Sequence, residues 1–401
     1  MLIVGLFCVY VLIFGTSTLP MKYIDVSQYA IYFAIIFFNV MIILLSLMRN
    51  SFNLKMTRAM TLLGLIVSGV CIAPLFSADS SIRSAEASLA EAFGDDWQTQ
   101  IDLDAEKYFL RTPFSVPKYF LGFPPIESEI ERHILFYNGS GSDFEEEEDL
   151  TLYFDVYLPP QVENLPFNST LIRIHGGGFQ LGDKGPLNVI PVNKHFARLG
   201  MVVFDIQYGL REIESGEAPL LTPPNVVGNY TFDDMVRHIG IFTKYLGIHA
   251  DEYGANLDSV FFSGGSAGAF LAGSAGFAIS SGNYTELFGD SITVAGLALL
   301  YPAFIADDIE SIASRSDDEF LDPELFINEL SPPCLIYQGL LDGLVEPHVS
   351  ASVKTTYESF GNNNCGVIYF PFAAHMSDMY FTDQFSQIYL YYMERFMYIF
   401  K

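Results

Sequence analysis

The chain has 401 residues, half of them hydrophobic, with 47 acidic against 20 basic side chains and a formal net charge of −27. This balance argues against nucleic acid as a partner, because gripping a polyanion needs clustered lysine and arginine, and it disfavours flat docking on anionic lipid. The charge is uneven: residues 1–76 carry a net +3 and the remainder −30, so an apolar, faintly basic segment precedes an acidic body.

The first 76 residues hold three apolar runs, Leu2–Thr16, Tyr29–Met48 and Ala59–Phe76. A helix that crosses a bilayer needs about 20 apolar residues. The runs predict a transmembrane anchor of about three helices, near 2–17, 29–48 and 59–76, with a signal-peptide core as the other reading of the first. Arg49, Lys55 and Arg58 lie between the second and third runs, whereas Lys22 and Asp25 cancel between the first and second. The positive-inside bias puts 49–58 in the cytoplasm. Everything after Phe76 is then expected on the extracytoplasmic or luminal side. Four N-x-S/T triplets, at Asn138, Asn168, Asn229 and Asn283, are candidate N-glycosylation sites there.

Residues 77–130 read as a connector. SIRSAEASLAEAFGDDW predicts a helix, and the proline- and aromatic-rich stretch after it cannot be a strand in mid-sheet. That stretch is expected either to cover a cleft as a partial lid or to serve as a tether. Next, RHILFYNG and LTLYFDVYLPP predict a hairpin. The acidic run DFEEEED (143–149) between them is expected to be a solvated turn, calcium binding being the sharper alternative.

Beyond the hairpin, short apolar strands alternate with helices. STLIRIH, MVVFDIQY, SVFFSG, ITVAGLALLYPA, PCLIYQGLL and GVIYFPF read as strands, and 231–247, 266–279, 345–360 and 384–400 as helices. The alternation predicts an α/β domain over 131–401, built on a mostly parallel sheet covered on both faces. The last helix, apolar on more than one face, is expected either to pack deep against the sheet or to rest on the bilayer. Cys334 and Cys365 precede two strands that are expected to be neighbours. They are a candidate disulfide outside the cytoplasm, with two buried free thiols as the alternative.

The chemistry gathers around VFFSGGSAGAFLA (260–272). A serine hydroxyl is a poor nucleophile unless a base takes its proton and donors stabilise the resulting oxyanion. Gly264 and Gly268 flank Ser266 at two positions on either side, which is G-x-S-x-G in a strand–turn–helix setting. Directly after the strand STLIRI comes His175-Gly176-Gly177-Gly178. The N–H groups of Gly177 and Gly178, with that of Ala267, are candidates for an oxyanion hole. Downstream, Asp342 ends LIYQGLLD and His375 follows IYFPFAA, giving the chain order serine, acid, histidine. Rivals are Glu346 and Asp378 for the acid and His348 for the base.

HGGGFQLGDK (175–184), FDIQYGL (204–210), DEYGANLDSVFFSGGSAGAFLA (251–272), GLLDGLVEP (339–347) and AAHMSD (373–378) resemble segments of the α/β-hydrolase fold, in its hormone-sensitive-lipase-like and small carboxylesterase group. The resemblance covers roughly 131–401. It implies an eight-stranded sheet and a serine esterase that acts through an acyl-enzyme on small acyl or lipid-like esters, with no metal or organic cofactor. There are departures: Gly265 stands where an acid is common before the serine, Ala269 replaces a second glycine, Gln207 lies in the usual arginine region, and the histidine turn lacks H-G-F. A serine peptidase of the same fold and a non-catalytic binding or adhesion ectodomain are the competing classes. The presence of Ser266, Asp342 and His375 together favours the enzyme.

Overall fold

The computed structural model describes residues 2–14, 26–47, 53–213, 221–304 and 319–401. Lys22, Asp25, Arg49 and the ends of the first two expected spans lie outside the described residues.

At the N-terminus, α1 (Leu2–Phe14), α2 (Ala30–Leu47) and α3 (Leu54–Phe76) pack around Cys8, Val11, Ala34, Phe37, Val67 and Cys71. Their outer faces expose Ile35, Ile43, Leu62 and Ile66. Two of these helices, Ser27–Leu47 and the one that begins at Leu54, are long and apolar enough to cross a membrane. Of the three expected spans, two are candidates among the described residues; α1 is apolar and has 13 described residues, and the remainder of the first run lies outside them.

Only Ser77 separates α3 from α4 (Ala78–Phe93), which is amphipathic and buries Ala85, Leu89 and Ala92. α4 lies along the last strand of the sheet, where the Ser88 hydroxyl accepts the Val367 N–H at 2.9 Å. It thereby covers an edge that would otherwise offer unpaired backbone groups.

The sheet consists of β1 (Glu129–Asn138), β2 (Thr151–Leu158), β3 (Thr170–Ile174), β4 (Val202–Ile206), β5 (Val260–Gly265), β6 (Val294–Leu300), β7 (Cys334–Gly339) and β8 (Cys365–Phe370). Its order is β1-β2-β4-β3-β5-β6-β7-β8. β2 pairs antiparallel with β1 and β4, and every other pairing is parallel. The mostly parallel eight-stranded sheet expected from the sequence is therefore present. One face carries α7 (Phe232–Tyr253), α8 (Ala267–Ser281) and α9 (Pro347–Ser359) through Ile239, Phe242, Phe270, Leu271 and Val353. The other carries α4, α6 (Ile190–Arg198) and α10 (Gln384–Phe400) through Leu89, Phe196, Ile388, Met393 and Phe396. α10 is thus buried in the domain and does not rest on a bilayer. α7 opens on a reciprocal capping box between Thr231 and Asp234.

Three further segments bear on alternatives left open by the sequence. The stretch after α4 does not line the cavity at Ser266 with any described residue. It runs along α10, because its backbone finds partners there: the Leu110 N–H donates to Glu394 Oε2 at 2.8 Å and the Ser115 N–H to Gln387 Oε1 at 2.9 Å. The acidic run is not wholly solvated, since Glu147 is fully buried against His238 Nε2 (2.7 Å) and Arg237 Nη2 (2.6 Å). Burial pushes its carboxyl up, but the hydrogen bonds from His238, Arg237 and Tyr137 outweigh that and hold it well below the usual carboxylate range. Cys334 and Cys365 do sit opposite each other in register, but as buried free thiols rather than a disulfide. Burial pushes the Cys334 thiol well up, which disfavours the thiolate that disulfide exchange requires.

One buried acid fixes the loop between β3 and α6. Asp205, in the middle of β4, accepts from the Gly185 N–H (2.8 Å), Asn188 Nδ2 (2.6 Å) and Asn193 Nδ2 (2.9 Å). Burial raises its carboxyl to about 6. Asp205→Ala strands these donors in the core and is expected to destabilise the protein by about 3 kcal/mol. Urea denaturation in detergent measures this, and a loss below about 1 kcal/mol would mean the loop is held by other contacts.

Candidate active site

The site is assembled at the C-terminal ends of β3, β5, β7 and β8. β5 ends at Gly265 and α8 begins at Ala267, so Ser266 alone makes the turn, with φ 54° and ψ −121°. This strained backbone lifts the hydroxyl out of the sheet. It is possible because α8 crosses the end of β3 in direct backbone contact. A Cβ on Gly268 would lie 2.1 Å from the Ile174 carbonyl oxygen, and one on Gly264 would lie 2.5 Å from the same atom. The glycines flanking the serine are a steric requirement of the crossing.

His375 and Asp342 converge on the serine. The Ser266 hydroxyl lies 3.0 Å from His375 Nε2, and His375 Nδ1 lies 2.8 Å from Asp342 Oδ2. The other carboxylate oxygen, Oδ1, accepts the Leu344 and Val345 N–H groups, each at 2.9 Å, so the acid cannot swing away. All three are buried, Ser266 being 8% exposed at the floor of the cavity. Because Nδ1–H donates to the carboxylate, Nε2 is left unprotonated as an acceptor for the hydroxyl. The rivals go elsewhere. Glu346 and His348 pair with each other on the surface, and Asp378 binds Tyr301.

The glycine segment after β3 forms the opposite wall. His175 is buried, stacks on Tyr208 at 4.5 Å, and bonds the Gly176 carbonyl through Nδ1 at 2.8 Å. Burial lowers its pKa, so the ring stays neutral. Gly177 has φ +131°, and a Cβ there would lie 1.8 Å from the Leu181 carbonyl oxygen. The loop curls back on itself, with the Gly177 carbonyl accepting from the Gln180 and Leu181 N–H groups. Among the described residues, the N–H groups of Gly177 and Gly178 have no acceptor. Both glycines line a cavity of about 320 Å³ together with Ser266, His375, Leu181 and Met379. Ala267 follows Ser266 directly as the first residue of α8.

Sequence reasoning missed Tyr301. It lies just after β6 with φ 39°, packs 4.6 Å from the His375 ring, and donates to Asp378 Oδ1 at 2.5 Å. Burial pushes the Asp378 carboxyl up. The available signal was positional, since Tyr301 stands at a strand's C-terminal end, as the other site residues do. The apolar lining residues Leu344, Met376 and Met379 carry no such signal.

Residues 154–292 match the BD-FAE family model. The match spans less than half the chain, taking in the glycine segment and Ser266 but ending before Asp342 and His375. Over that segment the chain is similar to the family, and the fold is α/β with a mostly parallel eight-stranded sheet. The apo form of Thermogutta terrifontis esterase 2 is similar at 19% identity, covering 68% of this chain and 92% of that one, with a TM-score of 0.48. The native form of this thermophilic planctomycete esterase, Est2, is similar at 20% identity over 63% of this chain and 84% of its own, with a TM-score of 0.47. No curated protein matches the chain.

The crossing at Ile174 predicts unequal effects of two small substitutions. Gly268→Ala forces backbone apart and is expected to destabilise by about 3 kcal/mol. Gly178→Ala, with open space around the Cβ but φ +60°, is expected to cost only about 1–2 kcal/mol. Thermal unfolding of the two variants in detergent tests the order, and equal losses would remove the crossing from the explanation.

Proposed function

We propose that the protein is a membrane-anchored serine hydrolase that cleaves carboxylic esters with small acyl or lipid-like parts. The observation that carries this reading is the hydrogen-bonded chain from Ser266 through His375 to Asp342, set in a cavity beside two unspent backbone donors. In this mechanism His375 Nε2 takes the Ser266 proton as Oγ attacks the ester carbonyl. Asp342 holds the tautomer and stabilises the imidazolium. The N–H groups of Gly177, Gly178 and Ala267 receive the oxyanion, each such donor contributing about 3 kcal/mol to the transition state. His375 then protonates the leaving alcohol, and water drawn through the same base releases the acid and restores the serine. No step requires a metal or organic cofactor.

The reading includes an anchor that holds the catalytic domain on the extracytoplasmic or luminal side. The asparagines of all four sequons, Asn138, Asn168, Asn229 and Asn283, are exposed, as glycan attachment requires. In a eukaryotic host, glycosidase digestion is expected to shift the protein's mobility. An unshifted band would count against that topology.

Labelling by a fluorophosphonate probe tests the chemistry. Wild type is expected to label and Ser266→Ala not to. Asp342→Asn is expected to lower kcat on a short acyl ester by about 10⁴-fold through the wrong histidine tautomer. A folded wild type that neither labels nor hydrolyses esters of any acyl length would sink the proposal and favour a binding ectodomain.

A further inference from the structure

A second cavity, of about 520 Å³, lies between the connector and α6, away from Ser266. Arg111, Lys118, Arg198 and His195 line it, with Phe123 and Ile126 among its apolar wall. The domain that holds it has a net charge of −30, so convergence of three cations on one hollow runs against its composition. Among the described residues, neither Arg111 nor Lys118 has a carboxylate partner. Lys118 lies over the Phe123 ring at 5.0 Å. Arg198 is held in place by the Tyr108 carbonyl (3.3 Å) and His195 Nδ1 (3.2 Å). The described lining contains one carboxylate, Glu127, which is exposed. Beneath the floor, Glu394 is occupied by His195 Nε2 (2.6 Å), the Leu110 N–H (2.8 Å) and Arg395 Nη1 (3.5 Å). Burial first, and then the like charges of Arg198 and Arg111, lower the Lys118 ammonium against the opposing pull of Glu394.

The hollow also has a defined position relative to the anchor. Lys118 belongs to α5 (Val116–Leu121). Its neighbour Tyr119 donates to the Gln28 carbonyl at 2.8 Å and stacks on Tyr32 at 5.5 Å, at the end of α2 that enters the membrane. Clustered tyrosines at a span's end mark the interfacial layer, where lipid phosphates lie. We propose that this cavity binds the phosphate group of an anionic ligand, with Arg111, Lys118 and Arg198 as its cations and the Phe123–Ile126 wall receiving the ligand's less polar part. Planar guanidinium forks are suited to phosphate oxygens, and an ammonium supplies a point charge. The ligand's source is either a lipid headgroup or a soluble phosphate.

The experiment uses the full chain and does not depend on ester hydrolysis, so it stands apart from the proposed activity. Thermal unfolding is followed in neutral detergent with sodium phosphate against sodium chloride at equal ionic strength. It is repeated in nanodiscs of phosphatidylcholine with and without phosphatidic acid. Wild type is expected to be stabilised by phosphate, by phosphatidic acid, or by both. A response to phosphate in detergent identifies a soluble ligand, and a response to phosphatidic acid alone identifies a headgroup. Arg111→Gln and Lys118→Gln are each expected to weaken the response about fivefold, and Lys118→Arg to retain it. Because Arg111 is exposed, its variant tests the site even if a change at Lys118 disturbs folding. A wild type that responds in neither arm, or an Arg111→Gln/Lys118→Gln double variant that responds as wild type does, would overturn the proposal.

Discussion

The candidate site depends on a single close approach of backbone to backbone, where the Ile174 carbonyl meets Gly264 and Gly268. β3 and β5 are parallel neighbours with Ile174 opposite Gly264, and the contact leaves no room for a side chain between them. One residue earlier the same register is locked by side chains, Arg173 Nη1 donating to Ser263 Oγ at 2.7 Å. The consequence is chemical. Two adjacent strands end together, one delivering a serine in a strained turn and the other a glycine loop in which the Gly177 and Gly178 N–H groups have no acceptor among the described residues. A wider spacing of the strands would separate nucleophile from donors, and the strain at Ser266 would serve nothing.

The histidine arm is positioned differently, by being held at both ends. His375 is bound to Asp342 and Ser266, and five residues later the Tyr380 N–H donates to Gln28 Oε1 at 2.8 Å while its hydroxyl meets that of Tyr32 at 2.8 Å. Gln28 and Tyr32 belong to the segment that enters the second apolar helix. Met379, between the two anchor points, lines the cavity at Ser266. The N-terminal helices are therefore part of the scaffold on the side of the sheet where the site lies. α4 makes the same point from the other direction, because it continues α3 and covers the edge of β8. Loops that carry reactive groups work when a rigid frame holds them, and here the frame includes the N-terminal apolar helices.

What the sequence made legible follows from how local each signal is. Buried parallel strands announce themselves as continuous apolar runs, so β3 to β8 were readable, and the strand-end positions of Ser266, Asp342 and His375 came with them. The path of residues 94–128 was not readable, because it is fixed by partners far along the chain, such as Glu394 for the Leu110 N–H and Gln387 for that of Ser115. Glu147 sits in a run of acids that looks solvated, and only the approach of His238, some ninety residues on, explains its burial. α6 is short and holds Asn193 and His195 on its buried side, so its polar composition hid a helix whose buried face is partly hydrogen-bonded rather than apolar.

The departures from the pattern that the sequence resembles can be read in the same physical terms. Gly265 precedes the serine where an acid is common, and a Cβ there would lie 2.9 Å from the Tyr301 hydroxyl. The space an acidic side chain would use is already taken by a tyrosine from the next strand. That tyrosine brings an acid of its own, Asp378, three residues after His375. A carboxyl is thus supplied near the histidine by the His375 loop instead of by the residue before the nucleophile, and the phenol of Tyr301 lies between the two strand ends. Gly265 and Tyr301 are best understood as one exchange, in which a small residue on β5 makes room for a large one after β6 that packs directly on the His375 ring.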